Sequence, residues 1–143
     1  MVEKYPDQMN KGTKEQRNKK EYKNAFKEKL KKLMDEYVQF IYQITKKFPK
    51  EEIYGVTSQT RRATLSIILN YIEGFARRKS AVQLNFFETS YGSLKESRYL
   101  VYFAYKQQWI TNGEYDEGLQ RSEETGAMLW TDIEQVERRI NKK

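Results

Sequence analysis

The chain has 143 residues, which is the size of one domain and enough to bury a core. It contains no cysteine and no histidine, so its side chains supply no disulfide, thiolate or imidazole chemistry and none of the common zinc sites. The formal net charge of +7 lies wholly in residues 1–50, where 14 Lys and Arg stand against 7 Asp and Glu, while residues 51–143 hold 13 of each. The composition therefore argues against an enzyme and places a basic segment at the front of the chain.

The sequence predicts an all-α fold. Its two prolines are Pro6 and Pro49, and no segment shows the alternation of a β-hairpin. No stretch approaches the roughly 18 apolar residues of a membrane span, and the first residues lack the apolar segment of a signal peptide. We therefore expect a cytoplasmic protein without a membrane partner.

Residues 1–21 are polar and lysine-rich without apolar periodicity, which predicts a flexible basic tail. From Lys11 to Lys32 there are ten Lys and Arg residues against three glutamates. Two interpretations stay open: a solvated, solubilising charge run, or an arm that binds nucleic acid by releasing phosphate counterions without reading its sequence. The candidate contacts of this arm are Lys19, Lys20, Lys23, Lys27, Lys31 and Lys32.

The rest of the chain, residues 22–143, is predicted to form a four-helix bundle, because apolar residues recur three and four apart. The short connections predict an up-down-up-down antiparallel order. The predicted helices cover about residues 22–48, 58–78, 81–108 and 112–140.

Local signals mark the ends of these helices. Pro49 stops the first helix, and Thr57 is the expected N-cap of the second. Ser80 and Gln83 form a capping-box pattern before the third helix, and Thr111 gives a cap signal before the fourth.

The second helix carries an apolar stripe opposite a polar one. The core is predicted to contact the apolar stripe of Leu65, Ile68, Ile72 and Phe75. The polar stripe mixes small residues with hydrogen-bonding and charged groups, so it is either a solvated face or a buried network with the third helix. We predict the buried network, with an ion pair between Arg62 and Glu96. Asn70 is expected near Ser93. The predicted network comprises Gln59, Arg62, Ser66, Asn70, Glu73, Ser93 and Glu96.

A second basic cluster follows this helix at Arg77, Arg78 and Lys79, in the turn before the third helix, and it is a further candidate for nucleic-acid contact. The third helix is rich in aromatic residues, for which we favour packing over stacking on RNA bases. Both helices have more than one face to bury, which points to self-association.

An ordered set of motifs in the second and third helices resembles one known family. They are Ser58-Gln59, Arg61-Arg62-Ala63, Ser66-Ile67, Asn70, Glu73-Gly74 and Arg77, followed by Gly92-Ser93-Leu94 and Glu96. Over roughly residues 25–140 the chain is similar to the bacterial four-helix-bundle family of 23S rRNA intervening-sequence, or S23, proteins. That family includes the accessory variability proteins of diversity-generating retroelements. The resemblance implies a closed ring, typically a pentamer, with RNA and a retroelement reverse transcriptase as partners.

Three functions follow as hypotheses. The first is a non-enzymatic oligomeric scaffold or adaptor that binds nucleic acid, RNA in particular. The second, which is the alternative to it, is a purely structural oligomer. The third, a ferritin-like metal protein, lacks the Glu-x-x-His pairs that such sites use. A carboxylate site at Glu73, Glu88 and Glu96 is disfavoured because Arg62 and Arg77 offer these groups charge partners. We therefore expect no cofactor and no metal.

Overall fold

The computed structural model describes residues 12–142, and within that range the secondary structure is helical, with no strand. The long helices are α1 (Lys14–Thr45), α2 (Val56–Phe75), α3 (Ser80–Lys106) and α4 (Asn112–Asn141), and a short 3-10 turn (Lys50–Glu52) lies between α1 and α2. The predicted all-α fold of four helices is confirmed. Residues 1–11 of the predicted tail lie outside the described residues.

Helix α1 begins at Lys14, well before the predicted start at residue 22. The reason is a capping box: the Thr13 hydroxyl accepts from Gln16 N at 3.1 Å, and the Gln16 side chain accepts from Thr13 N at 2.8 Å. Residues 14–21 therefore belong to a helix, and the prediction of a flexible tail was wrong for them. The basic side chains of this segment are held at helical spacing.

Two other predicted caps differ from the structure. Helix α2 begins at Val56, whose N–H donates to a Glu52 carboxylate oxygen at 3.1 Å, so Thr57 is a buried helical residue and not the N-cap. Ser80 is the first residue of α3 and makes no capping bond. Its expected partner Gln83 instead donates to Gly74 O at 3.2 Å. The cap at Thr111 is confirmed as a full capping box.

Each helix packs against the next one along the chain, and α1 also packs against α4. At one end of the α1–α2 contact, Arg61 Nε donates to Thr45 Oγ1 at 2.8 Å. At the other end, the Lys27 ammonium lies 4.7 Å from the centre of the Phe75 ring. The four helices thus enclose one core.

The core is formed by one stripe from each helix. In α1 the buried apolar residues recur three and four apart, as Leu30, Met34, Tyr37, Ile41 and Ile44. The fully buried large side chains include Leu30, Met34, Tyr37, Ile41, Ile67, Tyr71, Phe87, Leu94, Leu129 and Ile133.

The buried face of α2 is not the predicted one. Leu65 and Ile68 are only half-buried, and Ile72 is 48% exposed. Thr60 and Thr64 are fully buried in their place, beside Ile67 and Tyr71. A threonine can enter a core when its hydroxyl is satisfied within the helix. The Thr60 hydroxyl donates to Val56 O at 2.6 Å, and the Thr64 hydroxyl donates to Thr60 O at 2.8 Å.

Helices α2 and α3 approach closely at Gly74. A methyl group at this position would lie 2.6 Å from Cε1 of Phe87, which is itself buried and stacked on Tyr71. We expect Gly74→Ala to lower the free energy of unfolding by about 1–2 kcal/mol, because overpacking outweighs the helix propensity gained.

Gly92→Ala is the matched control. Gly92 is an exposed position of α3 where a methyl group would meet nothing within 4 Å, so the alanine should raise stability by up to ~1 kcal/mol. Urea denaturation of both variants measures the difference. Equal changes in the two variants would contradict the close approach at Gly74.

Candidate nucleic-acid interface

One end of the bundle gathers the two basic clusters of the sequence. The Lys27 ammonium lies over Phe75, Gln83 donates to Gly74 O, and Arg139 donates to Gln83 Oε1 at 2.7 Å. These contacts bring the start of α1, the turn between α2 and α3, and the end of α4 together. We call this the basic end and define it as residues 14–31, 73–83 and 134–142.

The basic end holds fourteen Lys and Arg residues against six Asp and Glu. The opposite end, residues 43–58 and 104–120, holds four Lys and Arg against five Asp and Glu. The charge of the described chain is therefore separated along the bundle. Such a distribution of charge favours the approach of a polyanion to the basic end.

The lysines of α1 that were predicted to contact nucleic acid differ in their surroundings. Lys19 pairs with Glu15 at 3.6 Å, and Lys31 pairs with Glu28 at 3.1 Å. Lys27 is half-buried over Phe75. The remaining three side chains are exposed and make no ion pair within residues 12–142; they are Lys20, Lys23 and Lys32.

The predicted contacts in the turn after α2 are all exposed. Arg77 pairs with Glu73 one turn earlier and lies 5.1 Å from the Phe86 ring centre. Arg78 and Lys79 have no ion pair among the described residues. Three further cations at this end were not predicted from the sequence, namely Arg138 and Arg139 of α4 and Lys142 just after it. Their position beside α1 depends on how the helix ends meet, which a linear charge count does not report.

Part of the predicted polar network exists between α2 and α3. Asn70 Nδ2 donates to Ser66 Oγ at 2.8 Å, and Ser93 Oγ donates to the same oxygen at 2.8 Å. Asn70 and Ser93 are thus joined through Ser66, and all three side chains are half-buried. A network of this kind positions the two helices against each other.

The predicted ion pair between Arg62 and Glu96 was wrong. Both residues are exposed, and no ion pair joins them in the part of the chain that the structure describes. Gln59 is exposed too, and Glu73 pairs with Arg77 of its own helix. The cause is the buried threonine face of α2, which turns Arg62 towards solvent.

Two buried hydrogen bonds between side chains of different helices were not predicted from the sequence. Tyr71 OH donates to Asp132 Oδ2 at 2.5 Å, and Tyr37 OH lies 3.0 Å from Ser97 Oγ. Burial raises the pKa of Tyr37 to about 12, against the opposing effect of its hydrogen bond to Ser97. Asp132 stands in an apolar series with Leu129. A charged residue among the buried apolar positions of a helix is the signal in the sequence that indicates such a contact.

Two findings concern metal binding and membrane insertion of the described residues. Within 12–142 no three His, Cys, Asp or Glu side chains are grouped so as to hold a metal ion. None of the helices there has the length and apolar character needed to cross a membrane.

Residues 27–131 match the model of the family described as 23S rRNA-intervening sequence protein. The chain belongs to this family. The resemblance found in the sequence is thereby confirmed. Among solved structures, the chain is similar to a protein of unknown function from the S23 ribosomal protein family of Bacteroides thetaiotaomicron, with a TM-score of 0.70 and 20% identity. The match covers 76% of this chain and 98% of the other, and it supports the fold alone. No curated protein matches the chain.

The contrast between Arg62 and Tyr71 gives a stability test for this intervening-sequence protein. We expect Arg62→Ala to change the free energy of unfolding by no more than about 0.5 kcal/mol, because the side chain is exposed and unpaired within the described residues. Tyr71→Phe should lower it by about 1.5–3 kcal/mol, because a buried carboxylate loses its donor. Urea denaturation measures both, and a large loss in Arg62→Ala would restore the predicted network.

Asp132 gives a pH test. Burial raises the pKa of its carboxyl above the ordinary value of 3.8, against the hydrogen bond from Tyr71 and the charge of Arg139. The folded state therefore binds this proton more tightly than the unfolded chain does. The resulting stability is fully present below 3.8 and is lost as the pH rises through the folded pKa.

We expect Asp132→Asn, which does not ionise, to gain stability relative to wild type as the pH rises from about 4 to 7. Urea denaturation at several pH values measures the difference, with the exposed Asp116→Asn as control. A difference for Asp132→Asn that does not vary with pH would refute the buried-carboxylate account.

Proposed function

We propose that this protein is a non-enzymatic, oligomeric scaffold or adaptor that binds RNA through its basic end. The observation that carries the proposal is the separation of charge along the bundle, with fourteen basic against six acidic residues at one end and four against five at the other. Membership of the 23S rRNA-intervening sequence family supports RNA as the nucleic acid. The lack of histidine and cysteine supports a role without catalysis and without a cofactor.

The proposed binding is electrostatic. Lysine and arginine gain affinity by releasing counterions from the phosphate backbone, and this gain is independent of sequence. The cations come from α1, from the turn after α2 and from α4, so a single strand can contact all three elements in one crossing. Residues 1–11 add Lys4 and Lys11 to the same arm in this proposal.

The proposed assembly is a ring, a pentamer in particular, of up-down-up-down antiparallel bundles. The order of contacts supports the antiparallel arrangement, since Thr45 meets Arg61 while Lys27 meets Phe75. A ring is supported by apolar side chains on the outer face of α2, where Leu69 is 59% exposed. A ring repeats the basic end around its axis, so that weak contacts add through multivalency.

The proposed setting is the cytoplasm, with a retroelement reverse transcriptase as a protein partner. The resemblance to accessory variability proteins supports that partner. Exposed aromatic residues of α3, Tyr99 and Tyr102, offer a surface for it away from the basic end.

A charge substitution tests the RNA interface. Lys20, Arg78 and Lys79 are exposed and unpaired in the described chain, so replacing all three by glutamine removes three cations without removing packing. We expect the triple variant to bind single-stranded RNA at least about 10-fold more weakly, with a salt slope smaller by about 2, because each neutralised phosphate contributes roughly 0.7. Fluorescence anisotropy at several salt concentrations measures both quantities.

The matched control replaces Lys46, Lys50 and Lys106 by glutamine at the opposite end. This variant has the same net charge and should keep the affinity and the salt slope of the wild type. Equal losses of RNA affinity in both variants would mean that binding depends on the total charge of the protein and not on the basic end. Absence of binding by the wild type would favour the purely structural oligomer.

A second substitution tests the assembly. We expect Leu69→Glu with Ile72→Glu to give a single chain of 17.2 kDa in light scattering, because two carboxylates would be desolvated in the interface. Tyr54→Glu, at a residue 95% exposed in the loop before α2, is the control and should keep the mass of the wild type. A wild-type mass of 17.2 kDa would overturn the ring.

A further inference from the structure

A small pocket opens in the basic end, between the first turns of α1 and the last turns of α4. Its volume is about 70 Å³. Four of its ten lining residues are aromatic, namely Tyr22, Phe26, Phe75 and Phe87. Sites for drug-sized ligands usually measure about 300–1,000 Å³, so this pocket is suited to a small planar group that stacks on aromatic rings.

The polar group of the pocket is the Asp132 carboxylate. Asp132 is 9% exposed and lines the pocket, and one of its oxygens accepts from Tyr71. The other oxygen makes no hydrogen bond to residues 12–142. Among those residues, Thr125 Oγ1 is the side-chain atom that is both sealed from solvent and without a partner. The second Asp132 oxygen is therefore not sealed, and it presents an acceptor to a group entering the pocket.

The surroundings of this carboxylate are positively charged. Lys23 and Arg139 line the same pocket, and the Lys27 ammonium lies over its Phe75 wall. The Arg139 side chain is held in place by its hydrogen bond to Gln83. A small organic cation would meet one carboxylate and three cations. A ligand with a hydrogen-bond donor at one end, a flat ring and an anion at the other end complements all of these groups.

The pocket continues into a shallow groove along the first turns of α1. The groove measures about 290 Å³ and shares Tyr22, Lys23 and Gln135 with the pocket. Lys19, Asn18 and Glu15 lie farther along it, and Lys19 pairs with Glu15. An extended chain with one group inserted in the pocket can place its next phosphate beside these residues.

We propose that the pocket binds one cytosine base of a single-stranded nucleic acid. The proposal rests on the proposed function and assigns a base-reading site to it. The base stacks on the Tyr22 and Phe26 rings, its 4-amino group donates to the open oxygen of Asp132, and its phosphate contacts Lys23 and Arg139. A carboxylate is the expected acceptor for the cytosine amino group, and insertion of an unstacked base is how proteins read single strands. Uracil carries a carbonyl oxygen in place of that amino group, so the carboxylate repels it.

The experiment compares oligonucleotides of ten cytidines and ten uridines, which differ at the group that Asp132 faces. We expect the full-length protein to bind the cytidine RNA about 5-fold or more tightly than the uridine RNA in fluorescence anisotropy. A ten-residue deoxycytidine strand tests whether the sugar matters. It is compared with a ten-residue deoxyuridine strand. A preference for the deoxycytidine strand supports recognition of the base, and equal binding of the two DNA strands overturns it.

Asp132→Asn is the decisive variant, because an amide accepts from cytosine and donates to uracil. The ratio of the two affinities should fall to about one. Asp116→Asn, an exposed substitution at the opposite end with the same change of charge, should keep the wild-type ratio. Circular dichroism and urea denaturation confirm that both variants fold.

The outcomes separate this proposal from the proposed function. Equal binding of the two RNAs by the wild type, or a ratio unchanged in Asp132→Asn, overturns the cytosine pocket and leaves RNA binding standing. If no RNA binds, the proposed function fails, and the pocket is tested directly with cytidine and uridine monophosphates by nuclear magnetic resonance of the Tyr22 and Phe26 rings. Preferential shifts with cytidine monophosphate support the pocket, and equal or absent shifts overturn it.

Discussion

The close approach of α2 to α3 at Gly74 is the constraint on which the other features depend. Because this residue has no side chain, the Phe87 ring lies against the backbone of α2 and stacks on Tyr71, which in turn donates to Asp132 of α4. One contact between two helices thus sets the position of a carboxylate on a third. The same approach seats Ser66 against Ser93 and leaves the large side chains of α2, such as Leu69, on the outside.

The sequence predicted most of the fold, because the apolar periodicity of α1 and the capping box at Thr111 are local properties that tertiary packing does not change. The prediction was wrong for α2, where the hydrophobicity of a residue does not determine whether it is buried. Thr60 and Thr64 read as polar, yet each hydroxyl is satisfied by its own helix and enters the core at little cost. Isoleucine at position 72 reads as core, yet it lies outside. The predicted Arg62–Glu96 pair failed for the same reason, since it assumed the wrong rotation of the helix.

The candidate site was predictable in its charges and not in its geometry. The lysines of α1 and the turn at Arg77 are plain in the sequence. Their position near Arg139 depends on how the start of α1, the turn between α2 and α3 and the end of α4 meet, and these three segments are distant along the chain. The first turns of α1 lack apolar residues, so their composition predicts a tail, whereas the capping box at Thr13 starts a helix there. Asp132 was visible only as a charge in an apolar seam, without any indication of the tyrosine that binds it.

The capping box at Thr13 has a consequence for the entropy of binding. A disordered basic arm loses backbone freedom when a ligand fixes it, at a cost of about 1–2 kcal/mol for each ordered residue. From Lys14 onward, α1 has already lost that freedom on folding. In the proposed complex with RNA, its lysines would have their spacing set in advance, so that more of the electrostatic attraction would be retained as affinity. The same rigidity limits which backbone curvatures the helix can follow, and a preorganised arm therefore discriminates between shapes of nucleic acid that a flexible arm would bind alike.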